Sequence, residues 1–467
     1  MPSRLTEWVD EGPVSPVRMQ SIEKNAAALG VSTLQMMESA GRALADRALA
    51  DRALDRSPED VLVLCGKGNN GGDGFVAARY LARHTECTCI YLAAERNGDS
   101  AINLSALRRC GITLQEISCK DDLQNLSKHF SEADLIIDAL LGTGAGGETR
   151  EPVASCIRMA NSSPAYILSA DLPTPGIHAD YILAFHRSKG DASGVSDIGI
   201  PLEAECYTGP GDLLMIPKKQ KHSHKGEGGT VLIVGGGPYQ GAPYLAGLAA
   251  LRAGADIVRV ASPVALDCPD LRHIPIAGRN IGKADADRLI GYASDADAVV
   301  IGPGMGTESH AVACTLAEAA QKVVIDADAL RLPLPAGEET VYTPHRGEFI
   351  RAFGSRPIRD LHTDARLVRD AADLNRVILL KGETDIISDG TRVRFNRTGV
   401  PAMTVGGTGD ILAGVTAALL CRMPAFEAAT IAAYANGRAG EVASQKIGDG
   451  LIASDLLLYL SQILYGE

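Results

Sequence analysis

Two aspartates in this chain stand directly behind clusters of glycine, where a carboxylate could move a proton beside a bound phosphate. The first cluster is Gly66-Lys-Gly-Asn-Asn-Gly-Gly-Asp-Gly74, which follows the apolar run Val61-Leu-Val-Leu-Cys65. The second is Val405-Gly-Gly-Thr-Gly-Asp-Ile-Leu-Ala-Gly414. Glycine lets a backbone crowd a ligand, and the open amides at a helix start attract anions. The two clusters differ in grammar, so they predict two active sites for phosphate-bearing small molecules. Asp410, at the mouth of a predicted helix, has the place of a base for an alcohol oxygen, with amides nearby to hold a phosphoryl group. No GxxxxGK[ST] loop is present, which excludes the P-loop class. Gly66 to Gly71 formally satisfies GxGxxG, with Glu95 as a late acidic partner. The paired Asn69 and Asn70 add side-chain oxygens that could ligate a cation.

Other polar residues close further apolar runs. Leu135-Ile-Ile-Asp138 leads into Ala-Leu-Leu-Gly142-Thr-Gly-Ala-Gly-Gly-Glu148, and Ser169-Ala-Asp171 ends another run. In the second half, Gly235-Gly-Gly-Pro-Tyr-Gln-Gly241, Gly302-Pro-Gly-Met-Gly306, Asp326-Ala-Asp328, Thr343-Pro-His-Arg-Gly-Glu348 and Lys381-Gly-Glu-Thr-Asp385 do the same. Such groups converge at the carboxyl edge of a parallel sheet, where ligands bind and protons move.

The elements that must position these groups follow from periodicity. Strands are predicted at 61–65, 88–92, 135–138, 166–170 and 181–185, then at 230–234, 257–261, 299–301, 323–326 and 377–380. They alternate with Ala-rich helical stretches, as parallel βαβ units do. The fold class is therefore α/β. A chain of 467 residues is too long for one core. The polar, basic stretch Pro217-Lys-Lys-Gln-Lys-His-Ser-His-Lys-Gly-Glu-Gly-Gly229 puts the junction between domains 1–217 and 218–467. Ser32-Thr-Leu-Gln35 reads as a capping box opening a helix toward Leu54.

With 57 acidic and 45 basic residues, the surface should repel nucleic acid and anionic membranes. The ten cysteines lack the spacing of a zinc set or disulfide framework. No signal peptide and no apolar run of about 18 residues is visible, so a soluble, cytoplasmic protein is expected; a homo-oligomer is expected as well.

Met37-Glu-Ser-Ala-Gly41, the GNNGGDG loop, Asp138-Ala-Leu-Leu-Gly-Thr-Gly144 and Asp171-Leu-Pro resemble the NAD(P)H-hydrate epimerase domain. The GPGMG, DADAL, TPHRGEF, KGETD and GGTGDILAG set resembles the ribokinase-like NAD(P)H-hydrate dehydratases. The resemblance implies a Rossmann-like three-layer αβα epimerase domain followed by a ribokinase-like αβα dehydratase domain. It implies epimerisation of R- and S-NAD(P)HX, and dehydration of the S form to NAD(P)H as ADP becomes AMP and phosphate. ATP serves some relatives, usually with Mg²⁺.

Carried over, Asn69, Asn70, Gly71, Gly72 and Asp73, with Gly142, Thr143, Gly144, Ala145, Gly146, Gly147 and Glu148, would hold the epimerase substrate. Asp171 would be the acid/base residue there, and Asn70, Asp138 and Thr174 would ligate K⁺. Ala242, Gly306, His345 and Asp410 would touch the hydrated nicotinamide nucleotide. Lys381, Gly382, Glu383, Thr384, Asp385 and Gly409 would touch the adenine nucleotide, with Asp410 as the catalytic base. His345 has a second reading, as a residue that orients its loop. After Asp171 the chain departs from the family pattern, because Leu172-Pro-Thr-Pro-Gly-Ile-His178 leads straight into Ala-Asp-Tyr-Ile. Two rival readings stand beside this one: a kinase of a vitamin-precursor alcohol, and a non-catalytic N-terminal nucleotide- or partner-binding domain.

Overall fold

Runs such as Val61–Cys65, apolar at every position, bury both faces of a strand, and that requires a sheet covered on both sides. The structure, a computed structural model, describes residues 4–50, 58–142, 149–218 and 228–466. They form two units, each around one such sheet.

The first unit spans Glu11–Pro201. Its strands are β1 (Asp60–Cys65), β2 (Glu86–Leu92), β3 (Thr113–Ile117), β4 (Leu135–Ala139), β5 (Tyr166–Ala170), β6 (Tyr181–Phe185) and β7 (Gly194–Ser196). They lie in the order β3-β2-β1-β4-β5-β6-β7, all parallel. Chain direction across the sheet reverses between β1 and β4, and the crevice at that switch lies beyond their carboxyl ends. The capping box forms as expected, with Gln35 N donating to Ser32 Oγ and Ser32 N to Gln35 Oε1. Its helix is Thr33–Leu49, and beyond Ala50 the expected reach to Leu54 lies outside the described residues. The prediction omitted β3 and β7. Both are edge strands with mixed polarity, so neither carries the buried apolar signature.

The second unit's sheet comprises β8 (Thr230–Val234), β9 (Ile257–Ser262), β10 (Arg272–Pro275), β11 (Ala298–Ile301), β12 (Lys322–Ile325), β13 (Glu339–Tyr342), β14 (Arg376–Leu380), β15 (Asp385–Ser388) and β16 (Val393–Asn396). The order is β10-β9-β8-β11-β12-β13-β14-β15-β16, with a switch between β8 and β11. The last two strands are antiparallel additions, which departs from the purely parallel expectation. The turn Lys381 to Thr384 explains it, because it is far too short for a parallel crossover.

The expected boundary at 217/218 falls inside this second unit, which takes in residues up to Asp10 and everything from Leu202. Trp8, almost fully buried, explains the first part. Its Nε1 donates to His362 Nδ1 at 2.8 Å, and its ring meets Phe395 edge-on at 5.9 Å between centroids. Arg394 pairs with Asp10 at 2.6 Å. Thr208 N donates to Phe395 O at 2.8 Å, which ties the segment after Leu202 to β16.

Candidate active sites

In the first unit the loops after β1 and β4 are pressed together at the switch point. A Cβ on Gly66 would lie 1.6 Å from Leu140 O, so only glycine permits this approach. The helix Asn69–Leu81 begins within the glycine cluster, and its cap Gly68 supplies no side-chain bond. That leaves its first amides open to a ligand.

Asn70, Asp138 and Thr174 come together here. Asn70 Nδ2 donates to Leu141 O at 3.1 Å, while its buried Oδ1 has no hydrogen-bond partner among the described residues. An orphaned buried amide oxygen fits a hard cation. Asp138 is fully buried and accepts from Ser169 Oγ (2.9 Å), Thr174 N (2.8 Å), Thr174 Oγ1 (2.7 Å) and Leu140 N (3.2 Å). Burial raises its pKa and those donors oppose the rise. Four donors engage both carboxylate oxygens, so Asp138 also locks the Thr174 loop in place. Among the described residues no group of three or more His, Cys, Asp or Glu could hold a metal ion; the oxygens gathered here are those of one amide, one carboxylate and one hydroxyl.

Asp171 follows β5 in the left-handed region (φ 64°) and accepts from Phe185 N at 3.2 Å. Its carboxylate is also ion-paired with Lys189, whose side chain is only 1% exposed. Asp73 stands close enough to feel this pair. Its pKa is raised well above the usual carboxylate range by burial first, then by the charges of Asp171 and Glu23, with Lys189 opposing. Burial likewise raises Glu23, helped by Asp171 and opposed by Lys189 and His186. The predicted Asp73 and Asp171 are thus brought together. Lys189, Glu23 and His186 escaped the sequence reading. Lys189 lies just beyond β6, the strand next to Asp171, and that adjacency was its one legible signal. Gly142 is described; Thr143, Gly144, Ala145, Gly146, Gly147 and Glu148 lie outside the described residues.

The second unit repeats the plan with other chemistry. A Cβ on Gly235, after β8, would lie 2.3 Å from Pro303 O after β11, so these two loops also touch by backbone. Ala242 opens the helix Ala242–Arg252, and Gly306 N donates to Asp328 Oδ2 at 2.9 Å. Asp326, at the end of β12, accepts from Lys381 Nζ (2.9 Å) and Thr343 Oγ1 (2.8 Å) through Oδ1. His345 caps the helix Arg346–Phe353, its Nδ1 accepting from Gly347 N (2.9 Å) and Glu348 N (3.2 Å). It therefore orients its loop while its exposed ring also lines the cavity described next.

That cavity, about 850 Å³, is lined by Lys381, Gly382, Glu383, Asp385 and Gly409, but not by Thr384, Ala242, Gly306 or Asp410. Its remaining wall includes Thr398, Gly399, Met403 and Asn436, which the sequence reading missed. Asp385 accepts from Gly382 N and Asn396 Nδ2, each at 2.9 Å, so its carboxylate also braces the hairpin turn. Burial pushes its pKa to about 6.

Asp410 sits in the first turn of the helix Thr408–Leu420, whose cap Gly407 (φ 103°) makes no side-chain bond. No hydrogen bond or ion pair ties its carboxylate to the described residues. Burial raises its pKa to about 7, helped by Asp326, Asp328 and Glu348 and opposed by Lys381. A carboxylate poised near neutrality, beside free amides and a lysine, can take a proton from an alcohol while an anion is held next to it.

Comparison with known proteins gives the following. Residues 231–462 match a family described as NAD(P)H-hydrate dehydratase, and residues 33–185 match the YjeF-related protein N-terminus. The chain is 52% identical over 464 residues to the bifunctional NAD(P)H-hydrate repair enzyme Nnr of Methanospirillum hungatei, covering 99% of this chain and 96% of that one. It is 38% identical to the Archaeoglobus fulgidus protein of the same name, covering 95% and 97%. A solved ADP/ATP-dependent NAD(P)H-hydrate dehydratase from Bacillus subtilis, co-crystallised with ATP/Mg²⁺, aligns at a TM-score of 0.46. It is 29% identical, over 54% of this chain and 95% of that one.

Proposed function

The chain belongs to the family of bifunctional NAD(P)H-hydrate repair enzymes, and from that premise we propose how its residues divide the work. The first unit epimerises R- and S-NAD(P)HX. The second dehydrates S-NAD(P)HX to NAD(P)H while ADP becomes AMP and phosphate. The rival kinase of a vitamin-precursor alcohol is not favoured, because the chain aligns over nearly its full length with repair enzymes.

In the second unit Asp410 takes the proton of the ring hydroxyl. The freed oxygen attacks the terminal phosphoryl of the nucleotide, held by the amides of Thr408 and Gly409 and by Lys381. Phosphate then leaves with the carbon–oxygen bond, driven by the ring nitrogen lone pair, and proton loss restores the double bond. The nucleotide's task is to turn a poor leaving group into a good one. Lys381 to Asp385 and Gly409 bind the nucleotide; Ala242, Gly306 and His345 bind the hydrated nicotinamide. Mg²⁺, carried in on the nucleotide, would neutralise phosphate charge. The observation that carries this reading is the unpaired Asp410 carboxylate at an uncapped helix start.

In the first unit the loop Asn69 to Asp73 and the loop Gly142 to Glu148 hold the substrate, and Asp171, kept beside Lys189, moves the proton as the hydroxyl leaves and water returns. K⁺ would be held by Asn70, Asp138 and Thr174 and would supply positive charge beside the substrate phosphates.

We propose a cytoplasmic setting and a homo-oligomeric assembly. Among the described residues no helix is long and apolar enough to cross a membrane, and all ten cysteines are free. Light scattering on the purified chain tests the assembly. The deciding assay supplies S-NADHX with ADP or ATP in turn and follows recovery of reduced nicotinamide spectroscopically. Recovery with release of AMP and phosphate is expected with ADP, whereas accumulation of a phosphorylated alcohol would overturn the reading in favour of the kinase.

A further inference from the structure

Behind Lys381 in the wall of the proposed nucleotide cavity lies a buried charge cluster only partly accounted for by that reading. Lys381 lines the cavity, and its ammonium does not point freely into it. Nζ donates to Asp326 Oδ1 at 2.9 Å, and the same oxygen accepts from Thr343 Oγ1 at 2.8 Å. Asp326 and Thr343 are almost completely buried, so this is an interior brace rather than a solvated ion pair. A Cβ built on Gly409 would lie 3.3 Å from Lys381 Nζ and 4.0 Å from Asp326 Oδ2. The pair therefore lies against the first turn that carries Asp410. A buried Lys–Asp pair is poor evidence for stability, since desolvation offsets its attraction, and that makes a working role the better account.

We propose that Asp326 is a positioning residue for dehydration: with Thr343 it holds the Lys381 ammonium beside Gly409, where the transferring phosphoryl must pass, and it keeps a negative charge next to Asp410. This rests on the dehydratase reading above. The charged groups facing Asp410 are Asp326, Asp328, Glu348 and Lys381; those facing Lys381 are Asp326, Glu348 and Asp410, and His345 faces Glu348. Asp326 makes Asp410 a stronger base and Lys381 makes it a weaker one. Their neutral variants should therefore move the pH profile in opposite directions.

The test is steady-state dehydration of S-NADHX with ADP by the full chain, as kcat, KM and a pH profile. Asp326→Asn should lower kcat about tenfold or more, with less change in KM for ADP, and should move the acid limb of kcat/KM to lower pH. Lys381→Met should move that limb to higher pH. Parental kcat and an unmoved limb in folded Asp326→Asn would sink the inference alone, whereas an inactive parent chain would sink the dehydratase reading itself. Should Asp326→Asn fail to fold, Thr343→Val decides. It should lower kcat several-fold, with Thr343→Ser at the parental rate; a Thr343→Val variant at parental kcat overturns the proposal.

Discussion

The two sites share a scaffold and differ in what their carboxylates are tied to. Each lies beyond the carboxyl ends of two strands at a switch point, with loops that touch through glycine backbone. In the first unit the proposed base Asp171 is ion-paired with a buried lysine, and the carboxylate whose pKa burial raises is its neighbour Asp73. In the second unit the lysine is paired with Asp326, and the proposed base Asp410 is left untied with a pKa near 7. One plan thus serves two chemistries through the choice of which carboxylate receives the lysine. The ion pair places the proposed base Asp171 beside a fixed positive charge, whereas the untied Asp410, with a pKa of about 7, suits the proposed uptake of a proton from an alcohol.

The largest effects should come from removing each base. Asp410→Ala should lower nucleotide-dependent dehydration by about 10²–10⁴-fold while epimerisation continues, and Asp171→Ala should do the reverse. Isomer ratios by chromatography and NADH recovery by absorbance measure the two separately. Loss of both activities from either change would break the contrast between the sites.

Next in size is Trp8→Ala, a change near the start of the chain whose effect should appear in the second unit. Truncating a buried Trp costs about 3–5 kcal/mol. Dehydratase activity should be lost at lower temperature than in the parent, with the thermal loss of epimerase activity unmoved. A fall in the epimerase midpoint instead would show that Trp8 had been assigned to the wrong unit. Because Trp8 is the only tryptophan, intrinsic fluorescence of the parent should follow the dehydratase transition.

The smallest effect is one of pH on stability. Asp410 has a folded pKa of about 7 against 3.8 when unfolded, so the folded state binds the proton more tightly. Stability is therefore greatest below the unfolded value and is lost as pH rises through the folded one. The penalty is at most about 4 kcal/mol above neutrality. Asp410→Asn should stabilise the second unit more at pH 8 than at pH 5, by denaturant midpoint. An equal gain at both pH values would show that the carboxylate is not raised.

Much of the fold was legible because its signals are local. The mainly apolar runs marked the central strands β1, β4, β8 and β11, and the glycine clusters marked the turns that follow. The hairpin of β14 and β15 was not, because a strand end and a strand start look alike on either side of Lys381 to Thr384. Asp171, Asp73 and Asp410 were legible as carboxylates beside glycine. Their protonation was not, since it depends on burial and on charges brought in from other elements.

By itself the sequence determined where backbone must crowd backbone, which runs must be buried on two faces, and which aspartates open helices beside free amides. These follow from side-chain size and short-range spacing. Only the tertiary structure decided that Trp8 and Asp10 belong to the second unit, and that Lys189 serves Asp171 while Lys381 serves Asp326. Such partners lie far apart along the chain and meet only when strands take their order in the sheet.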